Sequence, residues 1–339
     1  MNVEEEDGEP LSPMARVFQS PGNDCCILTM IGCKTKINAN VLQHALKLNV
    51  SKHPRFSSRL SNDGACWIKT QVNVENNVFE PDIDPKEIGD NGEGYVEDYV
   101  SRLTMLPLDK SRPLWDMHIL NIKTLDAEAV CVIRSHHSLG DGTSLMSLLV
   151  TCTQNTSHRD TIPTIPVLKR TVHKDIDVPW FVSFVLEGYK DASERISMMF
   201  YLELHKPLSR VMLNQLWIGK KHSLQAALAY SMTEYIFNIF GTKEGAIFLE
   251  RIVSNTTTFI SNMIGTKEEI SFFGHPIAYI APSVYGQAHA LTIHFLSYAE
   301  KMAISLGDPT VIPNPQKLCD EMEDSLQAMK ATISDRELL

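Results

Sequence analysis

The segment His136-His137-Ser138-Leu139-Gly140-Asp141-Gly142 gathers two imidazoles, a carboxylate and two glycines into seven positions. A hydroxyl that attacks an activated acyl carbonyl must lose its proton as its oxygen bonds to carbon. A neutral imidazole, with a pKa of about 6.5, can accept that proton near neutral pH. His137 is the expected general base. Successive side chains leave a strand in opposite directions, so one histidine of the pair enters a given cavity and His136 is expected to support the loop. Asp141 is expected to hold that loop in shape, by accepting backbone N–H bonds or pairing with an arginine. Gly142 admits backbone angles or a ligand approach that a Cβ would hinder. Two other readings compete. One is a metal site, but adjacent positions rarely direct both rings to one ion and no third His or Cys is near, so no metal is expected. The other is a solvated turn, since Asp-Gly is a common turn dipeptide. The chain has no G-x-S-x-G elbow, and direct transfer from an activated acyl group needs no serine nucleophile.

These side chains require a deep strand before them and a helix after them. Ala129 to Ile133 (AVCVI) is apolar on both faces, as a strand buried within a sheet should be, and a helix capped by Thr143 is expected through Val150. Upstream, Cys25 to Ile31 suits another buried strand. Asn38 should cap a helix reaching His53, with Val41, Leu42, Ala45, Leu46 and Val50 on one face and Pro54 ending it. A helix over Gly94 to Met105 and a strand over Leu114 to Ile119 complete this half. From Gln154 to Pro179 the chain is polar and Pro-rich, which reads as a connector, and 180–220 takes no assignment. Beyond it the pattern gives helices over 222–240 and 243–256, strands near 258–264, 276–281, 290–297 and 300–305, and a final helix from Asn314. Leu318, Met322, Leu326, Met329 and Ile333 form that helix's apolar stripe. His294 alternates within Leu291 to Phe295 as a strand residue rather than a catalyst. The expected organisation is a polar lead over 1–22, a lobe bearing the motif over 23–153, a connector and atypical segment over 154–220, and a shortened second lobe over 221–339.

A chain of 339 residues, 43% hydrophobic and 21% charged, exceeds one ordinary core and can bury a large one. The formal net charge of -10 supplies no positive field for polyphosphate, so nucleic acid is not an expected partner. Seven cysteines, odd in number and without a C-x-x-C pair, suit reduced, buried thiols. The acidic start Met1 to Asp7 lacks the basic and apolar regions of a secretory signal. No apolar run reaches the roughly 18 residues that suggest a membrane span.

The string HHSLGDG after an apolar strand resembles the HHxxxDG motif of the bifunctional wax ester synthase/diacylglycerol acyltransferase family, specifically its plant members. Similar strings are Leu11-Ser12-Pro13-Met14, Pro107-Leu108-Asp109, Arg112-Pro113-Leu114-Trp115-Asp116, Ser261-Asn262-Met263-Ile264-Gly265 and Pro282-Ser283-Val284-Tyr285-Gly286, covering about residues 10–182 and 221–333. The resemblance implies an α/β fold of the coenzyme A-dependent acyltransferase type: two similar two-layer sandwich lobes, here with the second incomplete, and a tunnel between them. It implies that His137 activates a long-chain alcohol or diacylglycerol hydroxyl for attack on an acyl-CoA thioester. Acyl-CoA is then a cosubstrate, with no metal or prosthetic group as cofactor. It also implies contact with a membrane surface, at the endoplasmic reticulum or the plasma membrane. Asn262 and Gly265 have two readings, lining an acyl channel or ending a strand. The chain is shorter than these relatives, and residues 183–220 do not resemble them. That departure motivates an alternative: a catalytically inactive, shortened form that binds lipid or a full-length homologue.

Overall fold

The computed structural model describes residues 8–20, 22–89, 92–140, 142, 145–146, 149, 153–155, 232, 235–254, 258–286, 291–307 and 312–337. Its strands are β1 (Glu9–Pro10), β2 (Cys26–Cys33), β3 (Ser58–Leu60), β4 (Cys66–Lys69), β5 (Val78–Phe79), β6 (Trp115–Leu120), β7 (Ala129–His136), β8 (Thr153–Asn155), β9 (Thr258–Ile264), β10 (Ile270–Phe272), β11 (His275–Tyr285), β12 (Leu291–Tyr298) and β13 (Lys301–Gly307). The helices named below are α1 (Pro13–Val17), α2 (Ala39–Asn49), α3 (Glu93–Thr104), α4 (Thr242–Ser254) and α5 (Pro315–Glu337). A seven-stranded sheet runs β5-β6-β7-β2-β11-β10-β8, and three-stranded sheets run β13-β12-β9 and β1-β4-β3.

Local chemistry explains several of these elements. The Asn38 carboxamide oxygen accepts the N–H groups of Asn40 at 3.1 Å and Val41 at 3.3 Å, capping α2. Asn314 accepts Lys317 N–H at 3.0 Å and starts α5 in the same way. Along α5, Leu318, Met322 and Leu326 are half-buried while Asp320, Glu321, Glu323 and Asp324 are exposed, as an amphipathic helix requires. β7 is buried on both faces. Val130 and Val132 pack with Val96 and Leu103 of α3, whereas Cys131, with Ile31 and Ile119, joins the cluster containing Leu42 and Leu46 of α2. Burial pushes the Cys26 thiol up to about 11 and the Cys33 thiol up to about 12, so both stay protonated at neutral pH.

Elsewhere the structure departs from the sequence reading. Residues 275–285, placed in the second lobe, instead pair antiparallel with β2 from Cys26↔Tyr285 to Cys33↔Ile277, inside the sheet that carries the motif. Their apolar alternation could serve either sheet, and only the tertiary partner decides. The lead over 1–22 is more than polar: it forms β1 and α1 and buries Leu11, Ala15, Val17 and Phe18. Ser12 caps α1, its Oγ accepting Ala15 N–H at 3.3 Å. Gln154 and Asn155, expected to open the connector, instead belong to β8, which pairs with β10 through Asn155↔Ile270. Val41, expected on the buried face of α2, is 49% exposed. The segment 156–231 and the Thr143 cap lie outside the described residues.

A buried ion pair crosses this sheet. Arg134 on β7 donates from Nε to Asp116 Oδ1 of β6 at 2.9 Å and from Nη2 to Asp116 Oδ2. Its Nη1 donates to the carbonyls of Leu103 at 2.6 Å and Leu106 at 2.8 Å, satisfying the end of α3. Burial raises the Asp116 pKa, but its hydrogen bonds to Arg134 and His118 outweigh that and hold the carboxyl below its usual range. Removing one partner leaves the other charge buried and unpaired, so Asp116→Ala is expected to cost about 3–5 kcal/mol of unfolding free energy in a urea titration. Because the folded-state pKa is lowered, this contribution is present above the unfolded carboxylate value and is lost as pH falls through the folded one.

Candidate active site

His136 ends β7 and His137 opens the 3₁₀ turn His137–Leu139 that follows. His136 is 1% exposed and held at both ring nitrogens. Its Nδ1 accepts Ser138 N–H at 3.1 Å and lies 3.1 Å from Gln19 Nε2 and 2.7 Å from Ser138 Oγ. A nitrogen facing N–H donors must present its lone pair, so the ring proton resides on Nε2, which donates to Asp24 Oδ1 at 2.8 Å. Gln19 Nε2 also donates to Ser138 Oγ at 2.9 Å, and Lys110 Nζ donates to Gln19 Oε1 at 3.1 Å and Asp24 Oδ1 at 3.4 Å. The hydrogen bond from His136 holds the Asp24 carboxyl below its usual range, with Lys110 adding to the effect against partial burial. His136 is thereby held at both ring nitrogens and committed to structure.

His137 is the half-buried member of the pair. Its backbone N–H donates to Cys25 O at 2.9 Å. Its ring lies against Phe18 with centroids 4.3 Å apart and planes 31° apart. Gly142 is helical, and a Cβ there would meet Met263 Sδ at 3.2 Å and Cε at 3.3 Å, so the motif abuts β9 of the second sheet. Asp141 lies outside the described residues. Asn262, next to Met263 on β9, is exposed and points to the opposite side of that strand. Gly265 ends β9: its N–H donates to Ser297 O at 2.8 Å, and a Cβ would meet that oxygen at 2.5 Å. The structure thus brings His136, His137, Gly142 and Met263 together and turns Asn262 away from Gly142.

Sequence reasoning missed Phe18, Gln19 and Asp24, and met Gly286 only as the end of the 282–286 string. Cys26 pairs with His136 on one side and Tyr285 on the other. Asp24, two residues before Cys26, therefore reaches the end of β7 where the histidines begin. Gly286 has φ +83°, and a Cβ there would meet Asp24 O at 2.5 Å, so glycine permits the approach that seats Asp24. The usable signal was the antiparallel pairing of β2 with β7, which no local pattern states.

A deep strand delivering paired histidines to a turn beside a second sheet is the α/β arrangement that the resemblance to the coenzyme A-dependent acyltransferase type implies. The fold is similar to that of the wax ester synthase/diacylglycerol acyltransferase from Marinobacter aquaeolei VT8, with a TM-score of 0.55 at 16% identity over 96% of this chain and 99% of that chain. Residues 91–208 match the wax ester synthase/diacylglycerol acyltransferase catalytic domain, and residues 195–330 match the WS/DGAT C-terminal domain. Two Arabidopsis thaliana relatives, wax ester synthase/diacylglycerol acyltransferases 7 and 10, are 39% and 38% identical, covering 98% and 99% of this chain and 99% and 100% of their own. The chain belongs to the wax ester synthase/diacylglycerol acyltransferase family.

The two matched domains include 183–220, which the sequence reading left outside the resemblance. The first of these alignments spans 474 positions against a chain of 339 residues, and 474 less 339 leaves at least 135 positions with no residue here.

Asp24 is half exposed, which discounts its charged hydrogen bond to about 1 kcal/mol. Asp24→Asn is expected to lose about that much stability at pH 7 by urea unfolding. It should also flatten the loss seen below about pH 4, because a carboxyl with a lowered folded-state pKa stabilises above that range and ceases to as pH falls.

Proposed function

We propose that the chain transfers a long-chain acyl group from acyl-CoA to the hydroxyl of a long-chain alcohol or of diacylglycerol, with His137 as general base. The observation that carries this reading is the division of labour between the two rings. His136 is consumed by Asp24, Gln19 and Ser138, while His137 follows it on the aromatic face of Phe18, in a loop that abuts the second sheet through Gly142 and Met263. In the reaction the acceptor oxygen attacks the thioester carbon and its proton passes to the His137 imidazole. Collapse of the tetrahedral intermediate breaks the C–S bond, and the proton goes to the departing sulfur to give free coenzyme A and the ester. The activated acyl group arrives on its own carrier, so acyl-CoA is a cosubstrate and the scheme calls for no prosthetic group. Asp141 is assigned to hold the loop.

Both substrates partition into lipid, and Tyr235, Ile239, Phe240 and Ile247, all exposed on and just before α4, support contact with a membrane surface. Among the described residues no helix is long and apolar enough to cross a membrane. The endoplasmic reticulum surface is the proposed location, with the plasma membrane as alternative.

The positions of relative 7 that lack a counterpart here favour a second reading, a shortened form that binds lipid or a full-length homologue without turnover. Co-purification with such a homologue and no ester formation supports that reading, and robust turnover by the purified monomer removes it. The primary test supplies radiolabelled palmitoyl-CoA with hexadecanol or diacylglycerol. His137→Ala is expected to reduce ester formation about 10²–10⁴-fold, the usual contribution of a positioned base, and equal product from variant and wild type would overturn the mechanism.

A further inference from the structure

His294 sits on β12, the central strand of β13-β12-β9, and is 3% exposed; its ring centroid lies 6.0 Å from that of Phe259, and among the described residues neither ring nitrogen has a hydrogen-bond partner. A neutral imidazole always carries one N–H donor and one acceptor, so two polar atoms lie buried there without partners. The register sets Ser305 of β13 and Ser261 of β9 beside it in one row across the sheet. Ser305 Oγ is also buried and, among the described residues, has no hydrogen-bond partner.

Three unpartnered polar atoms cost stability unless something satisfies them. Two other polar side chains on the same face, Thr292 and Tyr298, are satisfied. Thr292 Oγ1 donates to Gly307 O at 3.3 Å, and Tyr298 Oη donates to Ile277 O at 3.3 Å while accepting Ile270 N–H at 2.9 Å. Those bonds also fix the direction of the face. By strand alternation Thr292, His294, Leu296 and Tyr298 share one side of β12, and Tyr298 reaches Ile277 of β11 from it. Leu296 is the register partner of Met263, whose sulfur abuts Gly142 of the motif. His294 therefore lies two residues, about 7 Å of strand, from Leu296, whose register partner Met263 meets Gly142 of the motif.

We propose that His294 and Ser305, with Ser261 beside them, form a subsite for an ester oxygen of the acyl acceptor, so that they favour diacylglycerol over a plain long-chain alcohol. The inference rests on the acyltransferase reading of His137. An alcohol brings one hydroxyl, which that reading commits to the base, whereas diacylglycerol brings two further ester groups within a few bonds of its reacting hydroxyl. Burial holds the His294 pKa down to about 4, so the ring is uncharged at neutral pH and matches a neutral oxygen.

Binding of dioctanoylglycerol, hexadecanol and palmitoyl-CoA to the full chain is measured separately by calorimetry, and kcat/KM is then measured for both acceptors. His294→Leu is expected to weaken dioctanoylglycerol binding about tenfold, the order of one lost hydrogen bond. Hexadecanol and palmitoyl-CoA binding should be unchanged, and the diacylglycerol-to-alcohol ratio of kcat/KM should fall by the same factor. His294→Gln should recover part of the loss, and Ser305→Ala should shift the ratio in the same direction. The thermal midpoint of ligand-free His294→Leu should stay level or rise, because unpartnered polar atoms are removed. A fall for palmitoyl-CoA alone would overturn the acceptor assignment. Unchanged dioctanoylglycerol binding, or a His294→Leu protein that unfolds, would overturn the subsite. Wild-type binding without ester formation would fail the acyltransferase reading while leaving the subsite to be judged on binding.

Discussion

The site depends on one hydrogen-bonded ladder, β7 with β2 with β11, which joins three stretches of chain that are remote in sequence. Cys26 is its pivot, facing His136 on one strand and Tyr285 on the other. A slip of one residue in either pairing would turn every side chain of the slipped strand to the opposite face. The apolar residues of β2 resist this, because Leu28 belongs to the α3 side of the sheet and Ile31 to the α2 side. Asp24 and Gly286 then meet at the end of the ladder as a consequence of register rather than of any local preference.

Strand alternation and the tight turn that follows β7 place the two adjacent histidines in different surroundings. One is withdrawn among Asp24, Gln19 and Ser138, and the other is left half-buried against Phe18. The withdrawn ring does structural work through its tautomer. With Nδ1 kept as an acceptor, it takes the Ser138 N–H and so organises the first turn of the loop that carries the second ring. The N-terminal segment contributes on both counts, since Phe18 and Gln19 follow directly on α1. A short helix that buries only a few side chains therefore matters to the site out of proportion to its length.

What could be read from the sequence was local. The two-faced apolarity of β7, the caps at Asn38 and Asn314, the stripe along α5 and the motif's place on a loop after a strand all rest on side chains within a few residues of one another. The strand of 275–285 was legible as a strand but not as a member of the first sheet, because an apolar alternation carries no address. Asp24 and Gln19 were invisible for the same reason. Each is an ordinary polar residue until long-range pairing brings it against His136. The small sheet β1-β4-β3 is not legible because its strands span only two to four residues and Glu9, Ser58, Arg59 and Lys69 break up their apolar pattern. The lead over 1–22 reads as polar because its few buried apolar residues, Leu11, Ala15, Val17 and Phe18, are diluted among polar ones.

Buried polar groups in this protein fall into two kinds, and the difference bears on function. Arg134 and Asp116 are fully matched: a bidentate pair whose remaining donor closes the last turn of α3, so its removal is a question of stability. His136 is matched in the same sense. His294 is as deeply buried as Arg134, yet among the described residues neither its ring nitrogens nor Ser305 Oγ beside it has a hydrogen-bond partner, whereas Thr292 and Tyr298 on the same face find main-chain partners. A strand position alternating between Ile293 and Phe295 would be better filled, for folding alone, by an aliphatic side chain. An imidazole kept there lowers the stability of the empty protein. Such a deficit close to where the second sheet meets Gly142 of the motif is the signature of groups awaiting a partner that the described residues do not supply.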